Sequence, residues 1–302
     1  MLHYAWHCVG RFENHLLTFQ AFYRMRMPHL LLILLLFLQA SVAYAAGTDV
    51  LLARRDGRQT HVRLYGDWSR CLPTLILSHG LGGNSSALAY IADAAIEHGY
   101  RAAVMGHAES GRSALKQVLL TPKADKAEAL LNPVFWQGRF DDIEATFAYA
   151  TAQCRPPLLV MAGHSLGAAT TVLEAGAKGA VSQVGKDRFD AYIALSPQGV
   201  GWIFKDSSAW GNIKKPVLLI TGTEDFMVDG DYQDRVKAFD YLPSGSKRIV
   251  IINGADHKDF GGRGRNNATQ QTTTKAIFDF LAMLQQKSWR AVSYPNATVK
   301  DE

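Results

Sequence analysis

The chain has 302 residues, 48% of them hydrophobic and 20% charged, with a formal net charge of +5. This is an ordinary globular composition, long enough for one large α/β domain or two small ones, and it excludes a low-complexity or disordered chain. Residues 1–45 hold three arginines and one glutamate; taking that surplus of two from +5 leaves +3 for the rest, too mild and dispersed to indicate a nucleic-acid partner.

The N-terminal 45 residues differ from the rest. Leu30 to Leu38 is an unbroken apolar run preceded by Arg24, Arg26 and Met27 and followed by Ala43-Tyr44-Ala45. Charged region, apolar core and A-x-A pattern stand in the order of a secretory signal. The expectation is an exported protein, periplasmic or secreted, cleaved after Ala45 and started at Met25 or Met27. A retained anchor is the alternative, but the apolar core is short for a span, so no stable membrane insertion is expected.

Residues 49–53 and 59–65 alternate and flank Arg54-Arg55-Asp56-Gly57-Arg58, which predicts an antiparallel hairpin. Residues 74–78 are a continuous apolar run of the kind buried in a parallel sheet. His79-Gly80-Leu81-Gly82-Gly83 follows, then a predicted helix over 85–98 and a strand over 101–105. Residues 106–138, with Pro122 and Pro133, are too long for an ordinary connection. They read as an excursion over the site end of the sheet, partly helical at 123–131. A helix is predicted over 140–152; Arg139, Asp141 and Asp142 at its start read as structural, the two carboxylates suiting a helix N-terminus.

Residues 158–163 read as a buried strand that stops at Gly163, and a helix follows from Leu166 to Ala177. Between them lies Gly163-His164-Ser165-Leu166-Gly167, a G-x-S-x-G match. Alone, the pentapeptide is equally a Gly-rich turn with an incidental serine. Its place between an apolar strand and a helix favours a nucleophile elbow, with Ser165 at the apex and the Leu166 amide at the helix start. Further strands are predicted over 191–196, 217–221 and 247–252. Helices are predicted over 231–239 and 270–286. The alternation from 74 to 286 makes one domain over 46–302, with a parallel sheet covered on both faces.

Acyl transfer needs an activated nucleophile, a base oriented by an acid, and donors for the oxyanion. Each is assignable at the carboxyl end of a predicted strand, where open α/β sheets place their sites. Ser165 is the nucleophile, Asp225 the acid and His257 the base, with the amides of Leu81 and Leu166 as oxyanion donors. Asp229 and the adjacent Glu224 compete for the acid, and His79 and His164 for the base. His79 reads as structural, and His164, on a strand end before the nucleophile, should point away from Ser165. Asp256 is too near His257 in sequence to orient its ring. Trp136, Trp202, Phe204 and Trp210 are expected in loops above the site, with Trp136 and Trp202 as candidate substrate contacts. No cluster has zinc spacing, so neither metal nor cofactor is expected.

The motifs His79-Gly80-Leu81-Gly82-Gly83, Gly163-His164-Ser165-Leu166-Gly167, Ser196-Pro197-Gln198-Gly199, Gly222-Thr223-Glu224-Asp225 and Ala255-Asp256-His257 span nearly the whole of 46–302. By them the chain resembles the α/β-hydrolase superfamily and, within it, the dienelactone-hydrolase-related and platelet-activating-factor acetylhydrolase-like groups. The resemblance implies the α/β-hydrolase fold, with a mostly parallel central sheet and helices on both faces. It also implies the Ser, Asp, His order found here. Dienelactone hydrolase proper has a cysteine where this chain has Ser165, so the resemblance implies a serine esterase on small to medium soluble esters rather than that enzyme's substrate. A lipase or phospholipid acetylhydrolase at a membrane is the alternative, disfavoured by the lack of a long apolar lid; a silent binding protein on the same fold is the other. In the superfamily the strand at 74–78 lies beside that at 158–163. That neighbourhood would bring Cys71 and Cys154 to one end of the sheet, and it implies a disulfide between them, against two free thiols.

Overall fold

The computed structural model describes residues 47–302 apart from 228, 229 and 265. The expected signal segment, its start and its cleavage site lie outside the described residues, as does Asp229. Among the described residues no helix is long and apolar enough to cross a membrane.

The centre is a nine-stranded sheet in the order β1-β2-β4-β3-β5-β6-β7-β8-β9. The strands are β1 (Thr48–Ala53), β2 (Gln59–Tyr65), β3 (Thr74–Ser78), β4 (Arg101–Gly106), β5 (Leu159–His164), β6 (Ala191–Leu195), β7 (Val217–Glu224), β8 (Lys247–Asp256) and β9 (Ala297–Asp301). β4, β3, β5, β6, β7 and β8 are mutually parallel. β1 and β2 form the expected hairpin, and β2 runs antiparallel to β4. β9 closes the other edge antiparallel to β8, a strand the sequence reading did not foresee. Its burial pattern is mostly exposed, so it carries little of the apolar signal from which strands are read.

The inner strands are continuous apolar runs because both faces are covered. Successive residues pack on opposite sides: Leu75, Leu77, Val160 and Ala162 join one core with α1 (Ala89–Glu97) and α8 (Asn267–Gln286). Ile76, Leu159 and Met161 join the other core with α4 (Pro133–Thr151), α5 (Leu166–Glu174) and α6 (Tyr232–Tyr241).

The excursion is more helical than expected. It holds short 3-10 turns at Ala108–Ser110 and Lys123–Asp125, α2 (Arg112–Leu120) and α3 (Lys126–Leu130). α4 then starts at Pro133, not at 140. Pro133 occupies the first helical turn, where its missing N–H costs nothing, and the Asn132 side chain accepts from the Val134 amide at 2.9 Å. Reading Pro133 as a breaker hid the first two turns. Arg139, Asp141 and Asp142 are therefore helix-interior residues, and the reading of the two carboxylates as N-terminal groups is corrected.

β3 and β5 are parallel neighbours in the register Thr74↔Leu159. Cys71 and Cys154, just before these strands, form a disulfide with their Cα atoms 6.2 Å apart. This is the expected pairing, inside the span a bridge needs.

Candidate active site

β5 ends at His164, and α5 begins at Leu166. Ser165 joins them at φ 56° and ψ −120°, a conformation that L-residues avoid. Its amide donates to Leu195 O on β6 at 3.0 Å, which holds the turn against the sheet. The turn is possible because two glycines let the helix touch the strands. A Cβ on Gly167 would lie 2.0 Å from Ser78 O, and one on Gly163 would lie 2.2 Å from Gly167 O. From 158 to 175 every residue is buried except Ser165. The strain thus presents one hydroxyl-bearing side chain to the surface. Leu166 is the first residue of α5, where a backbone N–H lacks an intrahelical partner.

Asp225 follows β7 and is fully buried. Its Oδ1 accepts from His257 Nδ1 at 2.8 Å and its Oδ2 from Thr221 Oγ1 at 2.9 Å. Arg235 Nε of α6 lies 3.1 Å from the same Oδ1. Burial works to raise the carboxyl's pKa, but the His257 bond and the Arg235 charge outweigh it and hold the group down at about 2. Asp225 is therefore ionised, and His257 Nδ1 carries the donated proton. His257 opens α7 (His257–Phe260), whose N-terminus Asp256 caps through the Lys258 and Asp259 amides. Asp256 is thus a cap rather than the acid, and Glu224 is an exposed strand-end residue.

His164 ties the elbow to His257. It precedes Ser165 in the chain, its ring centroid is 4.7 Å from that of His257, and its Nε2 donates to His257 O at 2.9 Å. Burial first, and the neighbouring His257 second, keep it neutral. Gly80 adjoins both: a Cβ there would be 3.1 Å from Ser165 Cβ and 3.2 Å from His164 Nδ1. The His79–Gly83 turn, with Leu81, is thereby set against the elbow. His79 is structural as expected, with its Nδ1 bonded to Gly80 O at 2.6 Å and its Nε2 accepting the His107 amide at 3.0 Å.

Arg139 supports this turn from below, a role missed in the sequence. Fully buried, it donates to Thr170 Oγ1 at 2.7 Å, Ser110 Oγ at 2.6 Å, Ser78 Oγ at 2.9 Å and His79 O. Ser110 O in turn accepts the Gly82 amide at 2.8 Å. Beside it, His107 bridges Ser78 Oγ at 2.9 Å and Asp142 Oδ2 at 2.8 Å. The signal was available. Arg139 stands three residues from Trp136 and four from Ile143, on the apolar face of its helix. Arg235 stands likewise against Ala238 and Phe239.

The aromatic expectations need correction. Trp136 lies inside α4, has no exposed surface, and spends its indole N–H on Leu130 O at 3.0 Å. Phe204 and Trp210 are buried against each other, with ring centroids 4.8 Å apart. These three pack the core beneath the loops; their apolar bulk was worth more there than above the site. Trp202 alone of the four remains partly exposed, in a turn. Among the described residues no three His, Cys, Asp or Glu side chains converge as metal ligands.

No protein-family model matches the chain, and no curated protein matches it in sequence. Solved structures do. An esterase, Est2, from the planctomycete Thermogutta terrifontis superposes with a TM-score of 0.55 at 12% identity over 80% of this chain and 94% of that one. Est1E from Butyrivibrio proteoclasticus gives 0.54 at 17% identity over 78% and 99%. Dienelactone hydrolase from Anabaena variabilis gives 0.52 at 16% identity over 78% and 96%. The chain has the α/β-hydrolase fold, as these likenesses and the sheet order show.

Proposed function

We propose that this protein is a serine ester hydrolase. Ser165 is its nucleophile, His257 its base, Asp225 the acid that orients the base, and the amides of Leu81 and Leu166 its oxyanion donors. The observation that carries the reading is Ser165, forced to φ 56° at the one partly exposed position between a buried strand and a buried helix. Backbone strain of this kind costs energy and persists where the surroundings over-determine it. The Asp225–His257 bond supports the assignment of base and acid.

Ser165 Oγ attacks the ester carbonyl carbon while its proton passes to His257 Nε2. Asp225 stabilises the resulting imidazolium, and the two amides bind the oxyanion. As the tetrahedral intermediate collapses, the alkoxide leaves with the proton from His257. Water, deprotonated by His257, then cleaves the acyl-enzyme and regenerates Ser165. Two esterases that the chain resembles support the substrate class: Est1E has been seen with ferulic acid bound, and the Thermogutta esterase phosphorylated by paraoxon. Small to medium soluble esters are the proposed substrates, with Trp202 the remaining candidate among the aromatic contacts. The protein is proposed to be exported, a reading supported by the Cys71–Cys154 bridge, since such bonds persist in oxidising compartments.

The test is paraoxon. One equivalent is expected to abolish hydrolysis of p-nitrophenyl acetate and add one diethylphosphoryl mass to the peptide bearing Ser165. The Ser165→Ala protein is expected to gain no mass. A label on another residue, or an active Ser165→Ala protein, would overturn the assignment.

A further inference from the structure

Arg235 has no part in the mechanism above, yet it touches the acid of the site. It is a guanidinium with almost no exposed surface, on the inward face of α6, and α6 is fixed at its start by a capping box between Asp231 and Asp234. The same face meets the loop after β6 very closely: a Cβ on Gly199 would lie 2.4 Å from Asp234 O. Arg235 Nη1 donates to Pro197 O of that loop at 3.0 Å. Its Nε sits 3.3 Å from Asp225 O and 3.1 Å from Asp225 Oδ1. One side chain therefore ties the loop after β6 to the loop after β7. It does so at the carboxylate oxygen that His257 Nδ1 also uses, at 2.8 Å.

We propose that Arg235 is a positioning residue of the site: it clamps Asp225 in the plane of the His257 bond, and its charge keeps the imidazole neutral at lower pH than an Asp–His pair alone would allow. The inference rests on the proposed role of His257 as base.

The physical reason is the shared oxygen. An ionised carboxylate beside an imidazole favours the imidazolium, which cannot take a proton from a serine. A buried cation on the same oxygen offsets part of that field, and burial makes the offset larger than it would be in water. The other groups do not supply it. Thr221 and Ser196 are uncharged and His164 is held neutral by burial. Glu224 and Lys258 are exposed, and Asp256 and Asp259 bond the backbone of α7. Among the described residues, Arg235 is the buried cation at this pair.

Removing the charge acts in one direction. Without Arg235 the imidazolium is less opposed and the Asp225 carboxylate is less supported, so both groups hold their protons to higher pH. The experiment is a titration of the His257 Cε1 proton by NMR in histidine-labelled wild-type protein, with the resonance assigned by its loss in His257→Gln. It is repeated in Arg235→Gln, Arg235→Met and Arg235→Lys. The neutral variants are read on whichever keeps the wild-type far-UV circular dichroism. A midpoint about one pH unit higher is expected in the neutral variant, and a midpoint close to wild type in Arg235→Lys. The acidic limb of kcat/KM for p-nitrophenyl acetate is expected to move with it. An unmoved midpoint in a folded neutral variant, or a lysine variant displaced as far as the neutral one, overturns the inference. The titration needs no turnover. A shifted midpoint in a protein without esterase activity would therefore overturn the proposed function and leave the role of Arg235 standing.

Discussion

Asp225 touches His257, Thr221 and Arg235 at once, and two measurements read what its charge does. Its carboxylate keeps His257 in the tautomer whose Nε2 is free, so Asp225→Asn, whose amide can instead donate to Nδ1, is expected to lower kcat by about four orders of magnitude. Asp229→Asn, the rival in sequence, is expected to lose less than ten-fold; the reverse ranking would transfer the role. The same carboxyl has a folded pKa of about 2, below its ordinary value of 3.8. Its stabilising contribution is therefore complete above about pH 4 and is lost as pH falls through 2. Urea midpoints taken between pH 5 and pH 2 are expected to fall less steeply in Asp225→Asn than in the wild type, and parallel curves would contradict this. At this scale the sequence was readable where chemistry leaves a local signature. Gly163-His164-Ser165-Leu166-Gly167 announces its own turn, and Asp225 and His257 follow strand ends. Arg235 was not read because an isolated arginine looks solvated until its helix face is known, and Arg139, read only as structural at a helix start, lost its face because the helix was begun too late.

Elements were legible where their period was strong. β2 and β3 have the boundaries expected of them because strict alternation and an unbroken apolar run are hard to misread. α4 was shortened by seven residues because Pro133 starts a helix as readily as it breaks one, and β9 was missed because an edge strand with a wet face has little pattern. The junction between β3, β5 and α5 depends on the absence of a side chain. Gly167→Ala would set a Cβ 2.0 Å from Ser78 O, so helix and strand must separate. A loss of about 3 kcal/mol, read from urea unfolding, is expected together with a severe loss of turnover. Gly57→Ala is the control. Unlike helical Gly167 it sits at positive φ, 80°, and its Cβ would meet nothing within 4 Å. It should cost about 1 kcal/mol and leave activity intact. A loss at Gly167 no larger than that at Gly57 would mean that the contact with Ser78 does not set the requirement at Gly167.

At the scale of the whole molecule, the sheet separates the disulfide from the proposed site. Ser165, Asp225 and His257 stand at the carboxyl ends of β5, β7 and β8, whereas the Cys71–Cys154 bridge closes the amino ends of β3 and β5. Six residues of β5 at about 3.3 Å each put roughly 20 Å between the bridge and Ser165. The bridge joins residues 83 apart in sequence, so its main effect falls on the unfolded chain. A loop of that length restricts the unfolded ensemble by about 4 kcal/mol in the chain-entropy model. For a chain of this size, that corresponds to a melting temperature lower by about 10 °C. Cys71→Ser/Cys154→Ser is accordingly expected to melt lower while keeping kcat and KM for p-nitrophenyl acetate within two-fold of wild type at 25 °C. The wild type treated with a reductant should behave like the double variant, and the double variant should not respond to reductant at all. A variant that melts with the wild type would mean that the amino ends of β3 and β5 are held by their packing alone. A variant that keeps its melting temperature but loses turnover would mean that the two ends of the sheet are mechanically coupled through β5, contrary to the separation by distance.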